Sequence, residues 1–165
     1  MMIQREMVEM IRVLFVCLGN ICRSPMAEAI FRDLVNKEGL TEQIQVDSAG
    51  TGHWHIGEPP HQGTREILDN KKISYDGMKA RQVKQGDWER FDYMFAMDDQ
   101  NIKDLHRIQK QTDDIEIVKL LDFVKDSPVH NVPDPYFTGD FNETYALVSQ
   151  GCKNILQHVK KQHNL

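Results

Sequence analysis

Residues 12–24 read RVLFVC-LGNIC-RS, and this stretch decides the fold of the 165-residue chain. Its first six residues are rich in β-branched and aromatic side chains and predict a buried strand. Gly19 then predicts a tight loop. A helix follows, for which Ser24 is suited to the N-cap, Pro25 to the first helical position and Gly39 to the stop. Strand, loop and helix in this order begin an α/β domain.

The same alternation of strands and helices continues along the chain. We predict strands at 44–49, 92–97 and 115–121, helices at 63–71 and 100–109, a long loop to about residue 142, and a last helix. That last helix has Val148, Cys152, Ile155 and Val159 on one apolar stripe. We therefore expect one three-layer α/β domain, in which helices cover both faces of a parallel sheet. Ligands of such folds bind beyond the carboxyl ends of the strands, where the loop after the first strand lies.

Composition limits the classes of protein. Lys and Arg number 20 against 25 Asp and Glu, and this net charge of -5 argues against a general nucleic-acid binder. No apolar run is long enough for a membrane span, and the first residues do not resemble a secretory signal. We expect residues 1–11 to be an N-terminal extension and residues 12–165 to be the domain. Three cysteines are too few for a disulfide framework, so we expect a protein of the reducing cytoplasm. We also expect a monomer or weak self-association.

The loop after the first strand has the composition of a phosphate site. Cys17 and Arg23 stand five residues apart, between a buried strand and a helix N-terminus. Successive backbone N–H groups there can curl around an oxyanion, because Gly19 and Asn20 tolerate left-handed dihedral angles. Arg23 can hold two phosphoryl oxygens at once. The predicted phosphate-binding residues besides Cys17 and Arg23 are Leu18, Gly19, Asn20, Ile21, Cys22 and Ser24.

Cys17 is the candidate nucleophile. A cysteine at the end of a buried strand is more often a small core residue, and we interpret Cys152 in that way. The helix N-terminus and Arg23, however, would favour the ionised sulfur of Cys17. We therefore expect Cys17 to attack phosphorus as a thiolate.

Two segments resemble one known family. Residues 16–28, VCLGNICRSPMAE, resemble the active-site segment of the low-molecular-weight protein tyrosine phosphatases, and Asp134-Pro135-Tyr136-Phe137 resembles their second motif. The landmarks 47–51, 80–82 and 91–98 occur between them in the family's order. This resemblance implies a four-stranded parallel sheet and hydrolysis of phosphotyrosine in a protein or peptide. It also implies a phosphocysteine intermediate and no cofactor.

The resemblance assigns further roles. Asp134, stiffened by prolines on both sides, would protonate the leaving tyrosine and later activate water. Ser24 would hydrogen-bond the Cys17 sulfur, and Asn20 would be a loop brace bonded to Ser48. Some relatives have a histidine near this brace, where the present chain has Met78.

Substrate choice leaves alternatives open. Trp54, Tyr136 and Phe137 would form an aromatic slot for a phosphotyrosine ring. A subgroup of this fold removes phosphate from arginine and has threonine at the position of Ile21. The apolar side chain of Ile21 favours an aryl substrate for the present chain. Arsenate reductases of similar fold need a further cysteine pair beyond the loop. The present chain has only Cys152 there, so arsenate reduction is a distant alternative. A non-catalytic phosphopeptide binder would need neither Cys17 nor Asp134, so the presence of both residues argues against that alternative.

Two further sites follow from residue types. His53, His55 and His61 suggest a metal site, but no carboxylate or cysteine pattern accompanies them, and we predict no metal. Cys22 is either a packing residue of the loop or a redox partner that traps oxidised Cys17 as a disulfide.

Overall fold

A parallel sheet organises the molecule. The computed structural model describes residues 10–110, 112 and 114–165, and within them the sheet has four strands in the order β2-β1-β3-β4. The strands are β1 (Ile11–Cys17), β2 (Ile44–Gly50), β3 (Tyr93–Ala96) and β4 (Glu116–Lys119). All neighbouring strands pair in parallel, and the register places Cys17 beside Gly50. The four predicted strands are therefore confirmed, with the last one shorter than predicted.

The helices agree with the sequence pattern where they are long. They are α1 (Arg23–Lys37), α2 (Gln62–Asn70), α3 (Asp87–Arg90), α4 (Asp99–Ile108), α5 (Pro135–Thr138) and α6 (Phe141–His163), with a 3₁₀ helix at Leu120–Phe123. The predicted long loop therefore contains two short helices. A four-residue helix completes barely one turn, so no apolar period marks it in the sequence.

The N-cap prediction for Ser24 is wrong. Helix α1 begins at Arg23 after Cys22 as N-cap, so Pro25 also lies two positions later than predicted, still within the first turn. The hydroxyl of Ser24 lies 3.0 Å from the Cys17 sulfur and makes no cap. At the other end α1 stops at Lys37, and Gly39 adopts a φ of 71°.

The two faces of the sheet bury different helices. In β1, Phe15 and Cys17 belong to the core formed with α1, α2 and α6, whereas Leu14 and Val16 belong to the core on the opposite face. That opposite core includes Trp88 of α3 and Leu105 of α4. The alternation follows from the two-residue period of a strand. The predicted three-layer α/β fold is confirmed.

This topology creates a crevice at the carboxyl ends of β1 and β3. The chain leaves β1 into α1 on one face, and it leaves β3 into α4 on the other face. Ligands bind where adjacent parallel strands lead to opposite faces in this way. Cys17 ends β1 here, and Asp98 follows β3.

Most of the predicted N-terminal extension, residues 1–11, lies outside the described residues, although Ile11 already belongs to β1. In the part of the chain that the structure describes, no helix is both long and apolar enough to cross a membrane.

Gly151 provides a test of the packing between α6 and the 3₁₀ helix. A Cβ at this position would lie 2.2 Å from Cδ2 of the fully buried Leu120. Overpacking costs about 1–3 kcal/mol, and a contact this short with a fully buried side chain is expected to cost about 2–3 kcal/mol, whereas alanine in place of glycine gains about 1 kcal/mol of helix propensity. We expect Gly151→Ala to lower the melting temperature by roughly 2–8 °C. Gly86→Ala is the control, because a Cβ there meets no atom within 4 Å. Equal melting temperatures for the two variants would contradict the packing.

Candidate active site

The loop between β1 and α1 turns its carbonyl oxygens outward. Four of them accept hydrogen bonds from the surrounding chain at 2.7–3.1 Å. The donors are the amides of Thr51, Gly52 and His61 and the hydroxyl of Thr64, bonded to the carbonyls of Cys17, Leu18, Ile21 and Cys22 in that order. Because a peptide's N–H points opposite to its C=O, this arrangement directs the loop amides inward.

The inward amides form a concave group of donors. Among the described residues, none of the N–H groups of Leu18, Gly19, Ile21 and Cys22 donates to another backbone group. The first N–H groups of α1, at Arg23 onward, lack partners within the helix as at any helix N-terminus. Such a group of donors binds the oxygens of a tetrahedral oxyanion.

Asn20 fixes the curl of this loop. Its φ is 57°, a left-handed conformation that asparagine tolerates better than most residues. Its side chain donates to the Ser24 hydroxyl at 2.8 Å and to the Ser48 hydroxyl at 2.9 Å, and its carbonyl accepts from the amide of Arg81 at 2.9 Å. Only 3% of Asn20 is exposed, so these bonds satisfy a buried amide.

Gly50 lets the loop lie against the end of β2. A Cβ at Gly50 would stand 2.8 Å from the carbonyl oxygen of Leu18 and 3.1 Å from the carbonyl carbon of Gly19. Both are backbone atoms that cannot turn aside. A side chain at Gly50 would therefore displace the loop between β1 and α1.

The Cys17 sulfur lies at the bottom of the loop. It accepts from the amide of Asn20 at 3.3 Å and lies 3.0 Å from the Ser24 hydroxyl. The Ser24 oxygen already accepts a hydrogen from the Asn20 side chain, so its own hydrogen is available for the sulfur. Two donors therefore face Cys17, and donors of this kind stabilise a thiolate.

Arg23 is a buried guanidinium with donors left for a ligand. Its Nη1 donates to Asp98 at 2.6 Å and to the carbonyl of Val132 at 3.0 Å, and its Nη2 lies 3.3 Å from Asp134. Its Nε has no hydrogen-bond partner among the described residues. Nε and Nη2 together are the edge of the guanidinium that can hold two oxygens of an oxyanion.

The charge on Arg23 is well supported. Burial opposes it, but the Cys17 sulfur and the carboxylates of Asp98 and Asp134 outweigh burial and raise the pKa of Arg23 above its ordinary value. The guanidinium therefore stays charged beside Cys17.

Asp134 reaches the site from the start of α5. One of its oxygens accepts from the amide of Tyr136 at 3.0 Å as the N-cap of that helix, and the other faces Arg23. Pro135 takes the first helical position, which suits its missing N–H. The carboxyl group is partly exposed, so a substrate can reach it.

A cavity of about 390 Å³ opens above the sulfur. It is lined by Cys17, Leu18, Gly19, Ile21, Cys22, Trp54, His55, Asp134, Tyr136 and Phe137. The three aromatic residues predicted as slot walls stand at its mouth, where they are between 52% and 75% exposed. Large apolar side chains at such exposure mark a binding surface.

Three polar residues of the site carry no role in the sequence analysis. His55 lines the cavity and is held by Glu58, with 3.1 Å between Nδ1 and the carboxylate. Asp98 anchors Arg23, and buried Glu28 accepts from Ser48 at 2.6 Å. Asp98 had one recognisable signal, because it follows a strand at the same edge of the sheet as Cys17.

Cys152, Cys22 and His61 have surroundings that the structure shows. Burial raises the pKa of the Cys152 thiol, which packs in the core with α1. Burial, followed by the charges of Cys17 and Asp134, raises the pKa of the Cys22 thiol. His61 caps α2 by accepting from the amide of Gly63. Within the described residues, no group of three or more His, Cys, Asp or Glu is placed to hold a metal ion.

Comparisons with known proteins agree on one family. The family model of low molecular weight phosphotyrosine protein phosphatases matches residues 12–165. The low molecular weight protein-tyrosine-phosphatase YfkJ of Bacillus subtilis is 55% identical over 94% of this chain and 100% of its own length. Its crystal structure superposes with a TM-score of 0.91 over 93% of this chain and 97% of that chain.

More distant relatives share the fold. The protein-tyrosine-phosphatase PtpA of Staphylococcus epidermidis is 44% identical over 94% of this chain and 98% of its own length. A solved Drosophila arginine phosphatase is 36% identical, with a TM-score of 0.82 over 90% of this chain and 97% of that chain.

Proposed function

The chain belongs to the low molecular weight phosphotyrosine protein phosphatase family, and on that basis we propose that Cys17, Arg23 and Asp134 carry out the hydrolysis of phosphotyrosine. The activity is that of a protein-tyrosine-phosphatase, a cysteine-dependent phosphoric monoester hydrolase. One observation supports the residue roles above all others. Cys17 and Asp134 line one cavity, and Arg23 stands beside it, with its Nη2 3.3 Å from Asp134 and its Nε without a partner among the described residues.

In the first step, the Cys17 thiolate attacks phosphorus and the bond to the tyrosine oxygen breaks. The loop amides and Arg23 hold the other three phosphoryl oxygens, whose charge they stabilise as the geometry at phosphorus changes. Asp134 donates a proton to the departing oxygen, so that tyrosine leaves as a neutral phenol. The product of this step is a phosphocysteine.

In the second step, water displaces the sulfur. Asp134, now ionised, removes a proton from the water that attacks phosphorus. The phosphorus–sulfur bond breaks and the thiolate of Cys17 is released with inorganic phosphate. Hydrogen bonds from Ser24 and the Asn20 amide to the sulfur make it a better leaving group.

The cavity favours an aryl phosphate. Trp54, Tyr136 and Phe137 provide apolar walls, and Ile21 on the loop is also apolar. A phosphoarginine side chain would bring a polar guanidine against these walls. Protein arginine phosphatase remains the second candidate, because the Drosophila arginine phosphatase has the same fold.

We propose that the natural substrates are phosphotyrosine-containing proteins or peptides. We also propose that the reaction takes place in the cytoplasm. A nucleophile that must stay a reduced thiolate suits a reducing compartment. The described residues contain no disulfide, and the three cysteines are free thiols.

The role of Cys17 is tested by Cys17→Ser. We expect no measurable turnover of phosphotyrosine, while inorganic phosphate still binds, because the amides and Arg23 remain in place. Phosphate release and calorimetric phosphate binding measure the two properties. Cys152→Ala is the control and should keep its turnover. Near-parental turnover in Cys17→Ser would contradict the mechanism.

The parent enzyme should act faster on phosphotyrosine than on phosphoserine or phosphoarginine and should not reduce arsenate.

The role of Asp134 is tested by Asp134→Ala across leaving groups. We expect kcat/KM, which reports the steps up to release of the phenol, to fall about 10²–10⁴-fold for phenyl phosphate and much less for p-nitrophenyl phosphate, whose phenolate needs little protonation. Asp126→Ala, which removes an exposed carboxylate, is the control. Equal losses for the two leaving groups would count against Asp134 as the acid.

We propose that Cys22 is the redox partner of Cys17. Peroxide converts the Cys17 thiolate to a sulfenic acid, and the Cys22 thiol then forms a disulfide with release of water. Oxidation of Cys17 also removes one of the charges that raise the pKa of Cys22. After peroxide and then dithiothreitol, Cys22→Ser should recover less activity than the parent, and Cys152→Ser should recover as the parent does. Full recovery of Cys22→Ser would refute the protective role.

A further inference from the structure

One face of α1 carries three polar residues at a spacing of four. Ser24 faces the nucleophile, Glu28 lies one turn further, and Arg32 lies one turn beyond that. Residues spaced by four are neighbours on a helix surface. Glu28 is only 5% exposed, so its position in the interior needs a reason other than solubility.

Hydrogen bonds link Glu28 to the Cys17 sulfur without a gap. The chain runs from the sulfur to Ser24 (3.0 Å), to the Asn20 side chain (2.8 Å), to Ser48 (2.9 Å) and to Glu28 (2.6 Å). Its direction is fixed by the Asn20 amide, which donates one hydrogen to each hydroxyl. Each serine must therefore donate its own hydrogen away from Asn20.

Glu28 is the acceptor at the far end of this chain. Its Oε1 takes the Ser48 hydrogen, and its Oε2 pairs with Arg32, which also donates to the carbonyl of Val46 at 3.0 Å. Burial raises the pKa of Glu28, while Arg32 and the Ser48 hydrogen bond act in the opposite direction. A carboxylate accepts only, whereas a protonated carboxyl group could donate to Ser48 and reverse that hydroxyl.

We propose that Glu28 is a positioning residue for the nucleophile. Its carboxylate holds the Ser48 hydroxyl, which holds the Asn20 amide, which keeps the Ser24 hydroxyl donating to the Cys17 sulfur. The thiolate of Cys17 is favoured as a result. This inference rests on the proposed function in taking Cys17 as the nucleophile.

The far end of the network lies outside the substrate cavity. Glu28 and Arg32 line a separate groove of about 450 Å³, which shares no lining residue with the cavity above Cys17. Met78, at the position where some relatives have a histidine, also lines this groove, and the charged partner of Glu28 is Arg32. A change at Glu28 therefore alters no group that touches substrate.

Other charged groups stay constant in the test. The titratable groups near Cys17 are Arg23, Cys22, His55 and Asp134, with Asp98 behind Arg23. The charged groups that line the groove with Glu28 are Arg32, Asp33, Asp47, Asp76 and Lys79. None of them is altered in the Glu28 variants, so a change in Cys17 reactivity reports on the network.

The experiment measures the rate of Cys17 alkylation by iodoacetamide between pH 5 and 9, with mass spectrometry to locate the modified cysteine. We expect Glu28→Ala to move the midpoint of the profile upward by about one pH unit, so that alkylation well below the midpoint slows about tenfold. Glu28→Gln, which keeps an acceptor oxygen, should shift it less. Asp33→Asn is the matched control, because Asp33 lies on α1, lines the same groove and pairs with Lys37. Its profile should equal that of the parent.

A second comparison separates positioning from folding. In a Ser24→Ala background the network no longer reaches the sulfur, so Glu28→Gln should cause no further shift. An equal shift in both backgrounds, or no shift in a folded Glu28→Ala, would overturn the proposal. Should Glu28→Ala not fold, Ser48→Ala interrupts the same chain and must then reproduce the upward shift. Alkylation reports on the thiol alone, so a failure of the proposed phosphatase reaction would appear separately, as turnover by Cys17→Ser.

Discussion

The left-handed turn at Asn20 is the constraint on which the site depends. A short loop must reverse between a buried strand and a helix while it directs its amides to one point. Asn20 makes this possible because it tolerates a φ of 57° and because its side chain makes three hydrogen bonds that fix the turn. With the turn fixed, the loop carbonyls bond to the chain around them and the amides converge. The close approach at Gly50 then holds the loop against β2.

Arg23 imposes a second constraint, because a buried guanidinium is tolerated only with partners. Its partners come from three places in the chain. They are Asp98 after β3, the Val132 carbonyl, and Asp134 at the start of α5, which is 111 residues from Arg23 in sequence. The shortest contact is with Asp98 at 2.6 Å, so Asp98 anchors the guanidinium, and the contact with Asp134 is longer at 3.3 Å. One buried charge thus brings the Asp134 carboxyl group close to the loop that holds Cys17.

The sequence predicts most of what is local and little of what depends on distant contacts. The strand, the loop and the long helices follow from residues close together, and they are confirmed. The N-cap prediction for Ser24 failed because the nearby Cys17 sulfur takes the hydroxyl, which no local propensity reveals. Asp98 and Glu28 act through partners far away in the chain, and His55 reaches the cavity only through the fold, so their residue types alone gave no sign of these positions. The spacing of Ser24, Glu28 and Arg32 was visible, but any surface helix can carry such a pattern.

Cys17 lies between two sets of polar groups that do different work. On one side stands Arg23 with the carboxylates of Asp98 and Asp134, the groups to which we assign the phosphoryl oxygens and the leaving group. On the opposite side, the hydroxyls and the amide that lead to Glu28 face the sulfur, and the Asn20 amide among them also fixes the turn of the loop. The two sets therefore share the loop, because the residue that fixes its left-handed turn also donates to the serine that faces the sulfur.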